Sequence, residues 1–295
     1  MADTVGQEIG QKLRAEHIDK IVKGFALQEY RFKQLCMVNS SSAWSESYYK
    51  ETATDLSATG TGNSLKGVPR LAKFPYGEVS WTKATSYMLK HGIEGTISWE
   101  DAMMDNIDVI ARTLLRISRA IAKSVDADIW ATISENQTPS AINGLTIAAG
   151  YEWDSAAAAN RDPIQDILNA KKMIAEDNYD PDNGNGYLVL SPKDYANLLG
   201  NANVRNAGQF YTSDVTKNGK VGRILGLTII VSNNVTADYA MVCIAKECAT
   251  WKEAIPLTVK TIDDPGVSKT IRAWEIGVTQ LTNPQAVCLI SNTQA

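Results

Sequence analysis

This chain of 295 residues contains little histidine and no paired cysteine motif. Only His17 and His91 are present, too few for a histidine-rich metal site, and neither lies in a catalytic motif. The four cysteines form no Cys-x-x-Cys pair, and Cys243 and Cys288 stand inside apolar runs, as buried reduced thiols do. We therefore predict no metal site and no cofactor.

Long apolar runs and an excess of basic charge are also missing. No stretch reaches the roughly 18 apolar residues of a membrane helix, and the start of the chain does not resemble a secretory signal. We expect no membrane partner and synthesis in a cytoplasm. The chain has 29 Lys and Arg residues and 33 Asp and Glu residues, which gives a net charge of −4. Dedicated nucleic-acid-binding proteins are usually basic, so this class is disfavoured.

Four stretches approach a catalytic or ligand-binding motif without completing it. Ser-x-x-Lys occurs at residues 47–50 and 80–83, but both copies fall in strand-like polar segments without the companion motifs of penicillin-binding enzymes. Residues 60–67 lack the spacing of a phosphate-binding loop. Residues 177–185 lack the final Glu of a calcium loop, so a solvated turn is preferred over incidental calcium binding. We name no catalytic, cofactor-binding or metal-binding residue.

A long amphipathic helix is predicted over residues 99–135, because apolar residues recur at steps of three and four from Ile107 to Ile129. Acidic residues in its first turns complement the helix dipole: Asp101, Asp105 and Asp108. A second stripe is basic: Arg112, Arg116, Arg119 and Lys123. Such a stripe is usually a solvated face, and the alternatives are contact with acidic partner segments or with packaged DNA.

Other predicted elements precede and follow this helix along the sequence in a definite order. Residues 4–28 predict an amphipathic helix, and residues 44–90 predict a long two-stranded excursion with a loop at its tip. Residues 161–250 predict a compact α/β unit in which Asp162-Pro163 begins a helix. Strand patterns after residue 256 are expected to return to the domain of the long helix.

This order of elements resembles the major capsid protein of tailed double-stranded-DNA bacteriophages, the Hong Kong 97-like fold, over essentially the whole chain. No strict signature carries the resemblance, and its specificity lies in the joint order of several stretches. They are residues 81–102, 105–129, 187–198, 225–234, 270–278 and 284–289.

The resemblance implies an α+β fold with an N-terminal arm, an extended loop, a peripheral domain with a long spine helix, and an axial α/β domain. The implied boundaries are 1–43 for the arm, 44–92 for the extended loop (β-hairpin), 93–160 for the peripheral domain with the spine helix, 161–256 for the axial domain, and 257–295 for strands returning to the peripheral domain.

The resemblance also implies a function, which is structural and not enzymatic. Copies of the chain are expected to assemble through pentamers and hexamers into an icosahedral or prolate shell that encloses double-stranded DNA. Expected partners are the chain itself, portal, scaffolding and decoration proteins, and packaged DNA contacted without sequence specificity. Assembly is expected in the host cytoplasm and the final location in the virion. The alternatives are an encapsulin-like nanocompartment shell and a cytosolic α/β enzyme.

Overall fold

The computed structural model describes residues 15–51, 66–75, 81–100, 107–202, 204 and 222–295. Contacts divide the chain into two units. The first unit comprises Met1–Glu46, Ser86–Thr132 and Thr250–Gln280, and the second comprises Ser47–Thr85, Ile133–Ala249 and Leu281–Ala295. Each unit is therefore built from three separate pieces of chain.

The described helices and strands are numbered along the chain. The helices are α1 (Ala15–Glu29), α2 (Ile107–Ile133), α3 (Pro163–Glu176) and α4 (Pro192–Gly200). The strands are β1 (Cys36–Ser40), β2 (Ser45–Glu51), β3 (Trp81–Tyr87), β4 (Leu89–Ser98), β5 (Asn143–Thr146), β6 (Gly186–Leu190), β7 (Arg223–Ile224), β8 (Leu227–Val231), β9 (Tyr239–Ile244), β10 (Ala249–Asp264), β11 (Ser268–Leu281) and β12 (Val287–Ser291). None of these helices is both long and apolar enough to cross a membrane.

The first unit is built on a four-stranded sheet in the order β1-β10-β11-β4. Strand β11 pairs antiparallel with β4 over ten residues, from Ser268 opposite Ser98 to Gly277 opposite Leu89. Helix α2 packs on this sheet where Gly95 of β4 leaves room for Ile117, whose Cδ1 lies 2.6 Å from the place a Cβ would take. The close approach of helix and strand therefore depends on a glycine at this position.

The long helix confirms the predicted apolar periodicity. Ile117, Ile121, Val125 and Ile129 are at most 3% exposed and form one buried stripe. Helix α2 has 27 residues, which corresponds to about 40 Å. The predicted start at residues 99–106 lies largely outside the described residues, including Asp101 and Asp105, and the side chain of Asp108 is not described either.

The predicted terminal helix is confirmed in its second half. Helix α1 buries Ile18, Val22 and Ala26 completely, whereas Ile21 is 39% exposed. The part of the prediction that covers residues 4–14 lies outside the described residues.

The predicted excursion contains a two-stranded sheet formed by β2 and β3. Met88 N donates to Trp44 O at 3.0 Å, and the hydroxyls of Ser47 and Thr85 lie 3.3 Å apart. These pairings run in opposite directions along the two strands, so the ribbon is antiparallel. Residues 52–65 and 76–80, which the prediction also covered, lie outside the described part of the chain.

The second unit is built on a six-stranded mixed sheet in the order β5-β12-β9-β6-β8-β7. Strands β6 and β8 are parallel, and β9 runs antiparallel to both β6 and β12. The predicted helix start at Asp162 is confirmed, since its side chain accepts from Gln165 N at 3.2 Å at the start of α3. Ser191 Oγ likewise accepts from Asp194 N at 3.1 Å at the start of α4. Each helix also has proline at its first position, which suits the missing N–H.

The final strand and residues 133–160 belong to a different unit from the one that we expected. Strand β12 was assigned with residues 257–295 to the sheet of the long helix, but it lies between β5 and β9 in the second unit. Residues 287–290 are all buried, as an interior strand covered on both faces requires. Strand β5 pairs with it in parallel, so these residues join the second sheet as well. Strand periodicity shows that a segment is buried but does not show in which core.

Candidate assembly and binding surfaces

The residues considered for catalysis do not converge on a site in the described structure. His91 is buried, its Nδ1 lies 2.8 Å from Ser124 Oγ, and its Nε2 has no hydrogen-bond partner. Lys50 forms an ion pair with Glu135 at 3.6 Å, while Ser47 contacts Thr85. The side chain of His17 and the whole of residue 80 lie outside the described part of the chain.

Oxygen ligands in the 177–185 loop are used within the loop and by its neighbours. Asp180 Oδ1 accepts from Asp182 N at 2.9 Å, and Asn183 Oδ1 accepts from Asn185 N at 2.9 Å. Asp182 also forms an ion pair with Lys171 at 2.5 Å. These contacts are typical of Asx turns. Among the residues that the structure describes, no three His, Cys, Asp or Glu side chains are grouped to hold a metal ion.

All four cysteines are free thiols in buried positions. Burial raises the pKa of the Cys288 thiol to about 12, and the nearby charge of Asp177 adds to the shift. A thiol with such a pKa is almost fully protonated at neutral pH and is a poor nucleophile. The cysteines therefore belong to the core, as the sequence predicts.

A buried ion-pair network ties the segment after α1 to the first sheet. Glu275, which is fully buried, accepts from Lys33 Nζ and from Tyr30 OH, the latter at 2.5 Å. Lys33 also lies 3.3 Å from Glu253 and 5.3 Å from the centre of the Trp251 ring. Burial, and then the charge of Glu275, raise the pKa of Tyr30. Because every charge in the network has a partner, it holds the segment after α1 in one place.

A second buried carboxylate ties the same segment to the long helix. Asp126 of α2 is 2% exposed and accepts the backbone N–H groups of Arg31 at 2.9 Å and Phe32 at 3.1 Å. The Phe32 and Trp130 rings pack beside it with centroids 6.1 Å apart. Burial raises the pKa of Asp126 to about 6, although the backbone donors oppose the shift. We did not single out this residue, although a carboxylate adjoining Val125 within the apolar series is a sequence signal.

Large apolar side chains are exposed on the ribbon and on the irregular stretch 66–75. Leu71 is fully exposed and Phe74 is 84% exposed, although only two residues separate them. Trp44 and Tyr87, at the base of the ribbon, are 67% and 69% exposed. Single exposed apolar residues are common, but a closely spaced set is typical of a surface that another molecule covers.

The tip of the β10–β11 hairpin in the first unit carries another apolar group. Trp99 N donates to Val267 O at 3.1 Å, which brings the residue after β4 against the hairpin turn. The exposed fractions are 46% for Trp99, 60% for Val267 and 45% for Ile262. This hairpin tip is the second apolar surface in the described structure that lacks a cover.

The basic stripe of α2 is exposed along its whole length. Arg112, Arg116, Arg119 and Lys123 are all exposed, opposite the buried isoleucine stripe. Arg119 Nε forms an ion pair with Glu29 of α1 at 2.8 Å, with 58% of the arginine side chain still accessible. An exposed pair of this kind contributes little to stability.

Comparison with known proteins identifies the family. A sequence model described as phage capsid protein matches residues 83–290, more than two thirds of the chain. No curated protein sequence matches significantly. Among solved structures, a virus-like particle from Pyrococcus furiosus is similar at 13% identity and a TM-score of 0.63, over 95% of this chain and 100% of that chain.

Two phage structures are similar at comparable levels. The capsid of the cyanophage P-SCSP1u has 16% identity and a TM-score of 0.63, over 88% of this chain and 87% of that chain. The structure of Mycobacterium phage Che8 has 18% identity and a TM-score of 0.59, over 86% of each chain. These likenesses show the fold, which is Hong Kong 97-like as the sequence predicts. With the family model covering most of its length, the chain belongs to the phage capsid protein family.

Proposed function

We propose that this chain is a major capsid protein whose copies assemble through pentamers and hexamers into an icosahedral or prolate shell around double-stranded DNA. Family membership supports a capsid role. The observation that carries self-assembly is the near-complete exposure of Leu71 and Phe74 in a stretch without helix or strand. Such side chains gain free energy only when a further surface covers them, and in a shell that surface is another copy.

The physical requirements of a closed shell match the remaining features. A two-stranded ribbon such as β2–β3 is marginally stable alone, so it gains most when it lies on a neighbouring subunit. Repeated contacts between unlike faces close into rings when the rotation between copies permits it. Obligate assemblies bury more than about 2,000 Å² per interface, which extensions such as the ribbon and the hairpin tip help to supply.

The proposed roles of the chain segments follow the Hong Kong 97-like plan. The arm (1–43) and the extended loop (44–92) reach neighbouring copies, α2 is the spine helix of the peripheral domain, and the second sheet forms the axial domain around the ring centre. The structural boundaries differ from the implied ones because β5 and β12 complete the second sheet. Portal, scaffolding and decoration proteins are further proposed partners, with assembly in the host cytoplasm and a final place in the virion.

The test uses a double substitution in the exposed stretch. Leu71→Ser with Phe74→Ser removes apolar area from a surface with no described cover, so the unassembled subunit is expected to unfold at the same urea concentration as wild type. Shell formation, measured by electron microscopy and light scattering, is expected to fall at least tenfold. The matched variant Leu71→Met with Phe74→Leu keeps the surface apolar and is expected to assemble.

Two outcomes would overturn the proposal. Wild-type chain that remains a monomer or dimer at high concentration, with or without a scaffolding protein, would favour the cytosolic enzyme alternative. Wild-type shells that protect a cargo enzyme and no nuclease-resistant DNA after expression with the packaging proteins would favour the nanocompartment.

A further inference from the structure

The basic stripe of α2 occupies one narrow face of the helix. Its members follow each other at steps of four, three and four residues, so they lie within about 60° of one another around the axis. The stripe extends for about 16 Å at 1.5 Å per residue. Ile121 lies on the opposite side of the helix, buried toward the sheet with Ile117. The four basic side chains therefore point away from the sheet of the first unit.

The two acidic side chains of α2 that the structure describes have partners outside this stripe. Asp126 is buried and accepts backbone N–H groups, and Asp128 accepts from Thr279 Oγ1 at 3.2 Å. Within the described part of the chain, neither Arg112 nor Arg116 forms an ion pair with a carboxylate. Arg119 of this face has an acidic neighbour, Glu29 of α1.

Intrinsic stability does not explain the arrangement. Like charges three or four residues apart on a helix repel each other and destabilise the helix slightly. The chain as a whole carries a net charge of −4, so a uniform band of positive charge departs from its overall balance. Three of the four cations are arginines, whose planar fork of donors suits phosphate oxygens.

We propose that this stripe, Arg112, Arg116, Arg119 and Lys123, is the surface through which each subunit contacts the phosphate backbone of packaged double-stranded DNA. The proposal rests on the proposed shell function and names its DNA-facing surface. The contact has no base specificity, because the described side chains form a stripe on a helix face with no extension for reading a groove. A few cations per subunit on an acidic chain give a weak contact, which lets DNA slide during packaging.

Salt dependence of binding tests the proposal on the full-length chain. Unassembled subunits are titrated into a labelled 30-base-pair duplex at increasing sodium chloride, and fluorescence anisotropy gives the affinity. Four phosphate contacts predict a slope of log K against log salt of about −3.6. Arg112→Gln with Arg116→Gln is expected to make the slope less negative by about 1.8 and to weaken binding at least tenfold at low salt.

The matched control removes two exposed cations from the second unit. Lys172→Gln with Lys193→Gln also removes two positive charges, from side chains that are 70% and 52% exposed. This variant is expected to leave the slope unchanged. An unchanged slope in the stripe variant would overturn the proposal. An equal loss in both variants would also overturn it, because binding would then follow net charge alone.

Shell formation is read on the same preparations by electron microscopy. A stripe variant that binds DNA like wild type but no longer assembles would show that the stripe contacts an acidic segment of another copy, and would overturn the proposal. Wild-type chain that never forms shells would reject the proposed function itself. The two failures are therefore distinguishable.

Discussion

At the scale of single residues, Asp126 holds the segment that follows α1 against the long helix. Its carboxylate lies in the buried part of α2 and accepts two backbone N–H groups from residues 31 and 32. A buried N–H group left without an acceptor costs about 1–3 kcal/mol. Asp126→Ala leaves two such groups, so we expect the free energy of unfolding of unassembled subunits to fall by at least about 2 kcal/mol in urea titrations at pH 7.5.

The pH dependence of stability provides a second prediction at the same residue. The native pKa of Asp126 is about 6, raised from 3.8 by burial. As pH falls through 6, the native carboxyl takes a proton while the unfolded one stays ionised until about pH 4, so this group stabilises the native state in that window. Between pH 7.5 and pH 5, wild type should gain about 1.4 kcal/mol of unfolding free energy relative to Asp126→Asn, which cannot titrate.

Comparing the two proteins at each pH removes the contributions of the other titrating groups. Asp126→Asn keeps one carbonyl oxygen for the backbone donors, so both proteins should fold cooperatively. A difference in unfolding free energy that stays constant between pH 7.5 and pH 5, or that shrinks on acidification, would contradict the raised pKa.

The sequence identifies residues of this kind only in part. Asp126 adjoins the apolar series of α2, which marks it as a buried carboxylate in need of partners. Its partners are backbone groups almost a hundred positions earlier, and no local pattern connects them. The Lys33–Glu275 pair is separated by 242 positions for the same reason. Helix caps at Asp162 and Ser191 were predictable because each partner lies three residues away.

At the scale of elements, the long β10–β11 hairpin depends on a glycine beneath a tryptophan. A Cβ at Gly277 would lie 2.7 Å from Cε2 of the Trp251 ring and 2.8 Å from Lys252 O. Trp251 is fully buried, so its ring cannot swing into solvent, and the carbonyl belongs to the backbone of the paired strand. The two strands can therefore approach each other closely only without a side chain at this position.

Gly277→Ala is expected to destabilise the subunit by about 1–3 kcal/mol, because the added methyl group overpacks a rigid site. Thermal and urea unfolding of unassembled subunits measure the effect. Gly200→Ala is the control, since a Cβ there meets nothing within 4 Å, and it should leave stability unchanged or slightly raised. Equal stability of the two variants would mean that the hairpin adjusts its spacing, contrary to the packing described.

At the scale of the whole molecule, the path of the chain explains why boundaries were harder to predict than elements. Periodicity predicted the long helix and the strand that became β12, but β12 follows β11 in sequence and still enters the other sheet. Hydrogen bonds from Thr282 N and Asn283 N to Cys248 O, at 3.2 and 3.1 Å, turn the chain back into the second unit. A sequence pattern indicates that a strand is buried, but it does not indicate which strands lie beside it.

Because of this path, the second unit cannot be isolated by a single cut in the chain, but it can be isolated by joining two of its segments. Residues 133–249 contain five strands of the six-stranded sheet, and the missing strand, β12, lies between β5 and β9. Because Thr282 N and Cys248 O are hydrogen-bonded, a short Gly-Ser linker can join residue 249 to residue 281 and replace β10 and β11. Residues 47–85 also belong to this unit but contribute no strand to its sheet.

The joined fragment, residues 133–249 linked to 281–295, is expected to fold cooperatively, as judged by near-ultraviolet circular dichroism and a single urea transition. Residues 133–249 alone should not fold, because β5 then loses the strand with which it pairs, and β9 exposes one edge and the apolar surface that β12 covers. Leu289→Asp in the joined fragment is the control, since a charge at this 1% exposed position should prevent folding without changing the connection. If residues 133–249 fold without β12, the strand is an addition to a complete sheet. If only the joined fragment folds, β12 completes the core of a sheet whose first strand, β5, begins at Asn143.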